Sequence, residues 1–225
     1  SYTNSCISEH IASSIFNMLG VKAQETMLGT FTVNGKEKIV CACLDFTEDG
    51  KKFYDFCSIK NTVLDSDSNG SGTELSDILE AIERQQFVDP IRLKTHFWEM
   101  FAVDALLGNF DRHNGNWGFL YDPKNDRREI VPVYDCGSCL LPQADKEALD
   151  LRIYRFPTSA IKLHGSKINY YDFLSSGEYE ECDQAVREIY ERVDMDQIGA
   201  FIDDVPYISE LQKKFYKQYI AARVD

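Results

Sequence analysis

Apolar residues Ile11, Ile15, Phe16 and Leu19 recur over residues 9–19 at the spacing of one helix face and predict a helix there. Ser8 is the expected N-cap, and Gly20 stands where a C-terminal glycine belongs. Two β-rich runs follow, 26–32 and 38–46, split by Asn34-Gly35, a strong hairpin signal. The polar, glycine-rich stretch 65–72 predicts a flexible surface loop. It resembles the opening of a calcium loop, with Asp65, Asp67, Asn69 and Gly70 in the first positions. However, Ser76 stands where the bidentate acid is needed, and no convincing helix pattern precedes the stretch.

Beyond it the period turns helical. Residues 74–86 place Leu75, Ile78, Leu79 and Ile82 on one face. Asp89-Pro90 then reads as an N-cap followed by a first-turn proline. The helix after it runs to about Leu107, with Leu93, Phe97, Phe101 and Leu106 as core candidates. Two short strands, 118–121 and 129–133, flank the turn-rich 122–126, and residues 183–224 hold two or three amphipathic helices. The order is helix and hairpin, then a mainly helical body with a strand pair inside it. That is an α+β pattern without internal repeats, unlike the alternating βαβ of a doubly wound sheet.

The length of 225 residues allows one large or two small domains, since roughly 100–200 residues make one. A hydrophobic content of 44% with 27% charged residues places the chain among globular proteins. The net charge of -13, from 37 acidic and 24 basic residues, repels phosphate backbones and anionic membranes, so no nucleic-acid partner is expected. No apolar run approaches the roughly 18 residues of a transmembrane segment. The start carries no signal-peptide pattern, so a cytoplasmic location is expected. The seven cysteines include a single CxxC, Cys136 to Cys139, and read as reduced thiols rather than a disulfide framework or zinc site.

The chemistry concentrates in Asp111-Arg112-His113-Asn114-Gly115-Asn116, a polar loop leaving the strong helix, and in Asp135-Cys136-Gly137, which ends the second strand. Two strand ends can gather Asp111, Asn116 and Asp135 around one point. Phosphoryl transfer needs such a set: one carboxylate and one amide oxygen for a hard magnesium ion, and a further carboxylate to accept the attacking hydroxyl's proton. In protein kinases the catalytic acid precedes the metal-binding asparagine by five residues, the spacing of Asp111 and Asn116. Asn, Asp and Gly also favour plain surface turns. A turn alone does not explain a second acid followed by glycine after a strand-turn-strand of the right length.

Asp111-Arg-His-Asn-Gly-Asn116 with Val131-Pro-Val-Tyr-Asp135-Cys-Gly-Ser resembles the catalytic core of the HipA-like serine/threonine kinases and of the CtkA-type bacterial kinases that share it. The loop is similar, more weakly, to that of phosphatidylinositol kinases. The resemblance covers roughly residues 5–140. It implies a protein-kinase-like fold, ATP and Mg2+ as cofactors, and a protein acceptor carrying serine or threonine. By the same resemblance Asp111 is the catalytic base, Asn116 and Asp135 are magnesium ligands, and His113 shapes the loop. Arg112 either neutralises phosphate or pairs with a nearby acid. Glu9 takes the place of the acid that pairs with a nucleotide-binding lysine. Cys43, Leu44 and Asp45 take that of the hinge beside adenine.

The sequence departs from the family in one respect. A complete small lobe carries a glycine-rich turn and a strand lysine before the first helix, and the eight residues before Glu9 hold neither lysine nor glycine. Residues 1–46 are thus expected to be a partial small lobe and 47–225 the large lobe. The non-Met start favours a fragment that binds ATP weakly by itself. The alternatives are a lipid kinase of the phosphatidylinositol type and a binding module on an incomplete kinase fold.

Overall fold

In the computed structural model, which describes residues 4–47, 50–64, 69–142 and 157–224, the first apolar face reaches further back than its spacing predicts. Helix α1 spans Ser5–Met18 and buries Ile7, Ile11, Ile15 and Phe16. The N-cap is therefore Asn4, whose carbonyl accepts from the Ser8 N–H at 2.9 Å. Ser8, the expected cap, lies inside the helix and is buried, because docking Ile7 in the core extends the helix by a turn. At the other end the Gly20 N–H donates to Asn17 and the Val21 N–H to Phe16, a Schellman motif with Gly20 at a φ of 77°.

Strands β1 (Thr26–Val33) and β2 (Lys36–Cys43) pair antiparallel in register Thr26↔Cys43 to Val33↔Lys36. Asn34 and Gly35 both take positive φ, as a two-residue type I′ turn requires. β2 stops at Cys43, short of the predicted residue 46. There the Asp45 carboxylate accepts from the backbone and hydroxyl of Thr47 and turns the chain.

A strand and a helix absent from the pattern come next, β3 (Lys52–Asp55) and α2 (Phe56–Val63). The Asp55 side chain caps α2 by accepting from Ser58 N–H. Of the predicted loop 65–72, residues 65–68 lie outside the described residues. Helices α3 (Leu75–Arg84) and α4 (Pro90–Leu107) follow. Asp89 caps α4 as expected, accepting from the Arg92 N–H at 2.8 Å. α4 is the central element, with its last eight residues buried. Gly108 ends it in the left-handed region, where a side chain would run into the Tyr219 hydroxyl.

β4 (Gly118–Asp122) pairs with β3 on one side and with β5 (Arg127–Ile130) on the other, all antiparallel. The second strand was expected to reach Val133. Instead the chain leaves the sheet after Ile130, and Val133 exchanges backbone bonds with Lys22 and Gln24. That crossing carries the residues before Asp135 against the end of α1. A hairpin, β6 (Thr158–Leu163) and β7 (Ser166–Asn169), precedes α5 (Tyr170–Ser176). The tail then folds as three helices, α6 (Glu180–Glu191), α7 (Met195–Asp204) and α8 (Glu210–Val224). One buried cluster joins residues from Ile7 to Ile220. The α+β class read from the pattern holds, and among the described residues no helix is long and apolar enough to cross a membrane.

Phe56, fully buried at the start of α2, stacks on Trp117 with centroids 3.9 Å apart, directly after the polar loop. Phe56→Ala is expected to lower stability by about 3–5 kcal/mol. In urea unfolding the midpoint should fall while the slope holds, and Phe56→Leu should recover most of the loss.

Candidate active site

Asp104 is a fully buried acid on the apolar end of α4. Asn109 folds back on it, its Nδ2 donating to the carboxylate at 2.8 Å. Arg112 then closes the arrangement from eight residues away. Its Nε and Nη2 donate to the two Asp104 oxygens at 2.8 and 3.2 Å, a bidentate fork. Its Nη1 donates to the carbonyls of Asn116 at 2.9 Å and Tyr134 at 2.5 Å. Burial opposes the charge on this guanidinium, but Asp104 outweighs it and holds the pKa well above the ordinary value. Of the two roles open to Arg112 in the sequence, the structure selects pairing with an acid.

One guanidinium nitrogen thus ties the 111–116 loop to the segment carrying Asp135. A second tie runs parallel to it, the Tyr134 hydroxyl donating to the Gly115 carbonyl at 2.6 Å. Within the loop the Asp111 N–H donates to Asn109 Oδ1 at 3.0 Å. The Asp111 carbonyl accepts from the His113 N–H at 2.9 Å and from Asn116 Nδ2 at 3.1 Å. Only an amide NH2 can donate to that carbonyl, so Asn116 Oδ1 is the atom left to face a cation. The Asp111 side chain is exposed, while Asn116 is buried. His113 is exposed, and its Nδ1 accepts from the Gly115 N–H at 3.1 Å, which puts its proton on Nε2.

Asn114 is a residue that sequence reasoning passed over. Its Nδ2 donates to the carbonyls of Gly70 and Gly72, each at 2.8 Å, and its carbonyl accepts from Cys57 N–H. The buried Lys60 Nζ donates to the same Gly72 carbonyl at 2.6 Å. The loop is therefore pinned to α2 and to residues 70–72 as well as to α4. Asn109 was missed too, as was Asp104 as the acid that pairs with Arg112. A lone acid on the apolar stretch Phe101–Leu107 was the available signal.

Asp135 is exposed and takes a φ of 56°, a region that costs an L-residue on the order of 1 kcal/mol and costs Asp and Asn least. A Cβ on Gly137 would sit 2.6 Å from Ser5 Oγ and 3.4 Å from Glu9 Oε2, so glycine there lets α1 lie against this turn. The half-buried Glu9 accepts from the Cys136 N–H and lies close enough to Asp135 to feel its charge. Burial, then the Asp135 charge, raise its pKa above the ordinary carboxylate range. The Cys136 N–H, the Arg112 charge and the Ser13 hydroxyl pull the other way.

Glu9, Cys43 and Asp135 line one cleft of about 420 Å³, together with Cys6, Cys41 and Tyr134. Leu44 and Asp45 lie beyond the end of β2, outside that lining. The Leu44 N–H donates to Glu25 and its carbonyl accepts from Gln24 Nε2. The Asp45 carboxylate, fully exposed, is held below its usual range by the Thr47 hydroxyl. Asn116 Oδ1 and the Asp135 carboxylate are hard oxygen donors of the kind magnesium prefers, and so few protein ligands suit an ion that arrives with phosphate and water. The cleft has the size of a small-molecule site. Both features fit a magnesium nucleotide.

An α+β frame with a helix-to-loop acid, an amide five residues on and a second acid across a buried arginine belongs to the kinase-like phosphotransferases. The family described as HipA-like C-terminal domain matches residues 1–201, and this chain belongs to it. The chain is 48% identical to the serine/threonine-protein kinase CtkA of Helicobacter pylori strain J99 over 226 residues, covering 96% of this chain and 68% of that protein. The crystal structure of a Helicobacter pylori proinflammatory kinase CtkA superposes with a TM-score of 0.91 at 46% identity, covering 98% of this chain and 80% of that one. HipA of Shewanella oneidensis MR-1, solved with HipB and operator DNA, matches at a TM-score of 0.60 and 17% identity, covering 97% of this chain and 55% of that one, and shares the fold. The chain is thus a kinase-class enzyme.

Arg112→Ala would strand Asp104 as an unpaired buried charge, and a loss of about 3–5 kcal/mol is expected. Arg112→Lys keeps the charge without the fork. It should fold with intermediate stability, and hydrogen exchange should speed up at the amides of residues 111–116 and 134–136 together. Faster exchange in one segment alone would contradict the shared tie.

Proposed function

We propose that this chain is the catalytic region of an ATP-dependent serine/threonine protein kinase, transferring the γ-phosphoryl group of ATP to a protein hydroxyl. The observation that carries the reading is the Arg112 bridge, which sets the Asp111–Asn116 loop and the Asp135 turn side by side. The name of the 48% identical relative supports the choice of acceptor. A net charge of -13 speaks against a nucleic-acid substrate.

In this reading the exposed Asp111 carboxylate orients the acceptor hydroxyl and takes its proton as the oxygen attacks the γ-phosphorus, while ADP leaves from the opposite side. Asn116 Oδ1 and Asp135 would hold Mg2+, which when bound neutralises charge on the phosphates. His113 keeps the loop closed through the Gly115 N–H and the Asn116 N–H. Glu9 awaits a cationic partner beside the nucleotide, and Cys43 stands on the adenine side, with Leu44 and Asp45 following it outside the cleft lining. Residues 1–46 act as a small-lobe portion and 47–225 as the large lobe, in a cytoplasmic enzyme.

The glycine-rich turn and the lysine of the phosphate clamp are, in this proposal, supplied by residues outside the 225 given. The β1–β2 hairpin leaves Met27 68% and Phe31 63% exposed, an apolar surface suited to further strands. The alignment with CtkA spans 68% of that protein.

The test uses the chain joined to a complete small lobe, labelled ATP and a serine/threonine protein acceptor. Asp111→Asn should lower kcat by roughly 10²–10⁴-fold with little change in the KM for ATP. Asp135→Ala should abolish the response to magnesium, and phosphatidylinositol vesicles should take up no label. Full activity in either variant would falsify the assignment.

A further inference from the structure

A second hollow, of about 400 Å³, shares no lining residue with the nucleotide cleft. Its walls come from the α1–β1 link, the first turns of α4 and the exit from β5, including Val21, Lys22, Arg92, His96, Glu99 and Val131. Arg92 and His96 stand four residues apart on α4, so their side chains project to the same face. Lys22 faces them from the link. Two fixed cations, Lys22 and Arg92, thus stand around one hollow.

The local charges do not cancel one another. Glu99 is matched by Arg192 at 3.3 Å, and Arg192 also meets Glu188 at 3.5 Å. Among the described residues no carboxylate lies within ion-pair distance of Lys22 or Arg92. His96 lies close enough to Arg92 and to the buried Arg112 to feel both charges. Burial first, and then those two positive charges, lower its pKa to about 4. It is therefore neutral near pH 7 and keeps one ring N–H to donate. Two fixed cations on two sides with a neutral donor between them suit a small dianion, whereas a single carboxylate would leave one cation unmatched. Arginine's planar fork favours phosphate geometry.

We propose that the hollow between Lys22, Arg92 and His96 is a binding site for a phosphate dianion, distinct from the nucleotide cleft. Inorganic phosphate and a phosphorylated serine or threonine side chain present the same chemistry.

The experiment follows the His96 ring resonances by NMR, assigned with His96→Gln, at about pH 7.5, where phosphate monoesters carry nearly two charges. Sodium phosphate and a capped phosphoserine peptide are titrated separately against sodium chloride of equal ionic strength. Saturable movement is expected with a midpoint below about 10 mM. In the Lys22→Ala/Arg92→Ala variant, checked for an unchanged fold by its amide spectrum, the midpoint should weaken at least about tenfold. A response to the peptide alone assigns the site to phosphorylated chains, to the salt alone to the free ion, and to both to either source. No movement beyond chloride, or a midpoint unchanged in the double variant, overturns the proposal.

Discussion

One buried ion pair, Asp104 with Arg112, anchors the polar loop and the Asp135 segment to the core of this molecule. Taking a carboxylate and a guanidinium out of water is expensive, and the pair is tolerable only where the geometry is good and the remaining donors and acceptors are met. Both conditions hold for Asp104 and Arg112. The fork is bidentate, Asn109 adds a third bond to the carboxylate, and the last guanidinium nitrogen serves two backbone carbonyls. Those carbonyls belong to Asn116 and Tyr134, the one a proposed ligand and the other next to the second. A buried network satisfied on every side has one arrangement, so α4 fixes the spacing between the two segments together with the direct Tyr134–Gly115 bond.

The depth of α4 is in turn set by packing. Its last eight residues are buried, and Gly108 lets the chain turn beneath Tyr219 without a clash. From there the loop is held on three sides: by Asp104 of α4 through Arg112, by the Tyr134 hydroxyl from the Asp135 segment, and by Asn114 on residues 70–72, which Lys60 braces from α2. The backbone is rigidly placed while the Asp111 carboxylate stays exposed. In the proposed function, a group that meets a moving acceptor needs that combination of fixed position and open access.

Which of these features the sequence disclosed follows from how local each one is. Asn34-Gly35 and Asp89-Pro90 were readable because turn and cap chemistry act within a few residues. So was the five-residue spacing of Asp111 and Asn116. The N-terminus of α1 was placed too late because burial of Ile7, a tertiary effect, extends the helix past a good capping serine. β3 was invisible because four residues, Lys52 to Asp55, become a strand only by pairing with Tyr121 to Gly118 far along the chain. Arg112 stayed ambiguous for the same reason. Its partner lies on a helix whose burial no window of sequence reveals, and a charge beside a catalytic loop looks equally suited to phosphate. Asn114 passed for a turn residue because its acceptors sit in a glycine-rich stretch over forty residues earlier.

The two sides of the cleft differ in how completely their charges are met, and that difference bears on what the cleft receives. On the Arg112 side every buried charge has its counterpart. On the α1 side, burial first and then the nearby Asp135 charge raise the Glu9 pKa, with the Cys136 N–H, the Arg112 charge and the Ser13 hydroxyl pulling the other way. A half-buried acid raised by burial and by a neighbouring carboxylate marks a place where a cation is favoured. In the proposed function a magnesium ion at Asp135 and an ammonium group at Glu9 would meet that demand, with a nucleotide phosphate between them. The electrostatic imbalance of the cleft therefore supports the same reading as the rigid bridge opposite it, by independent physics.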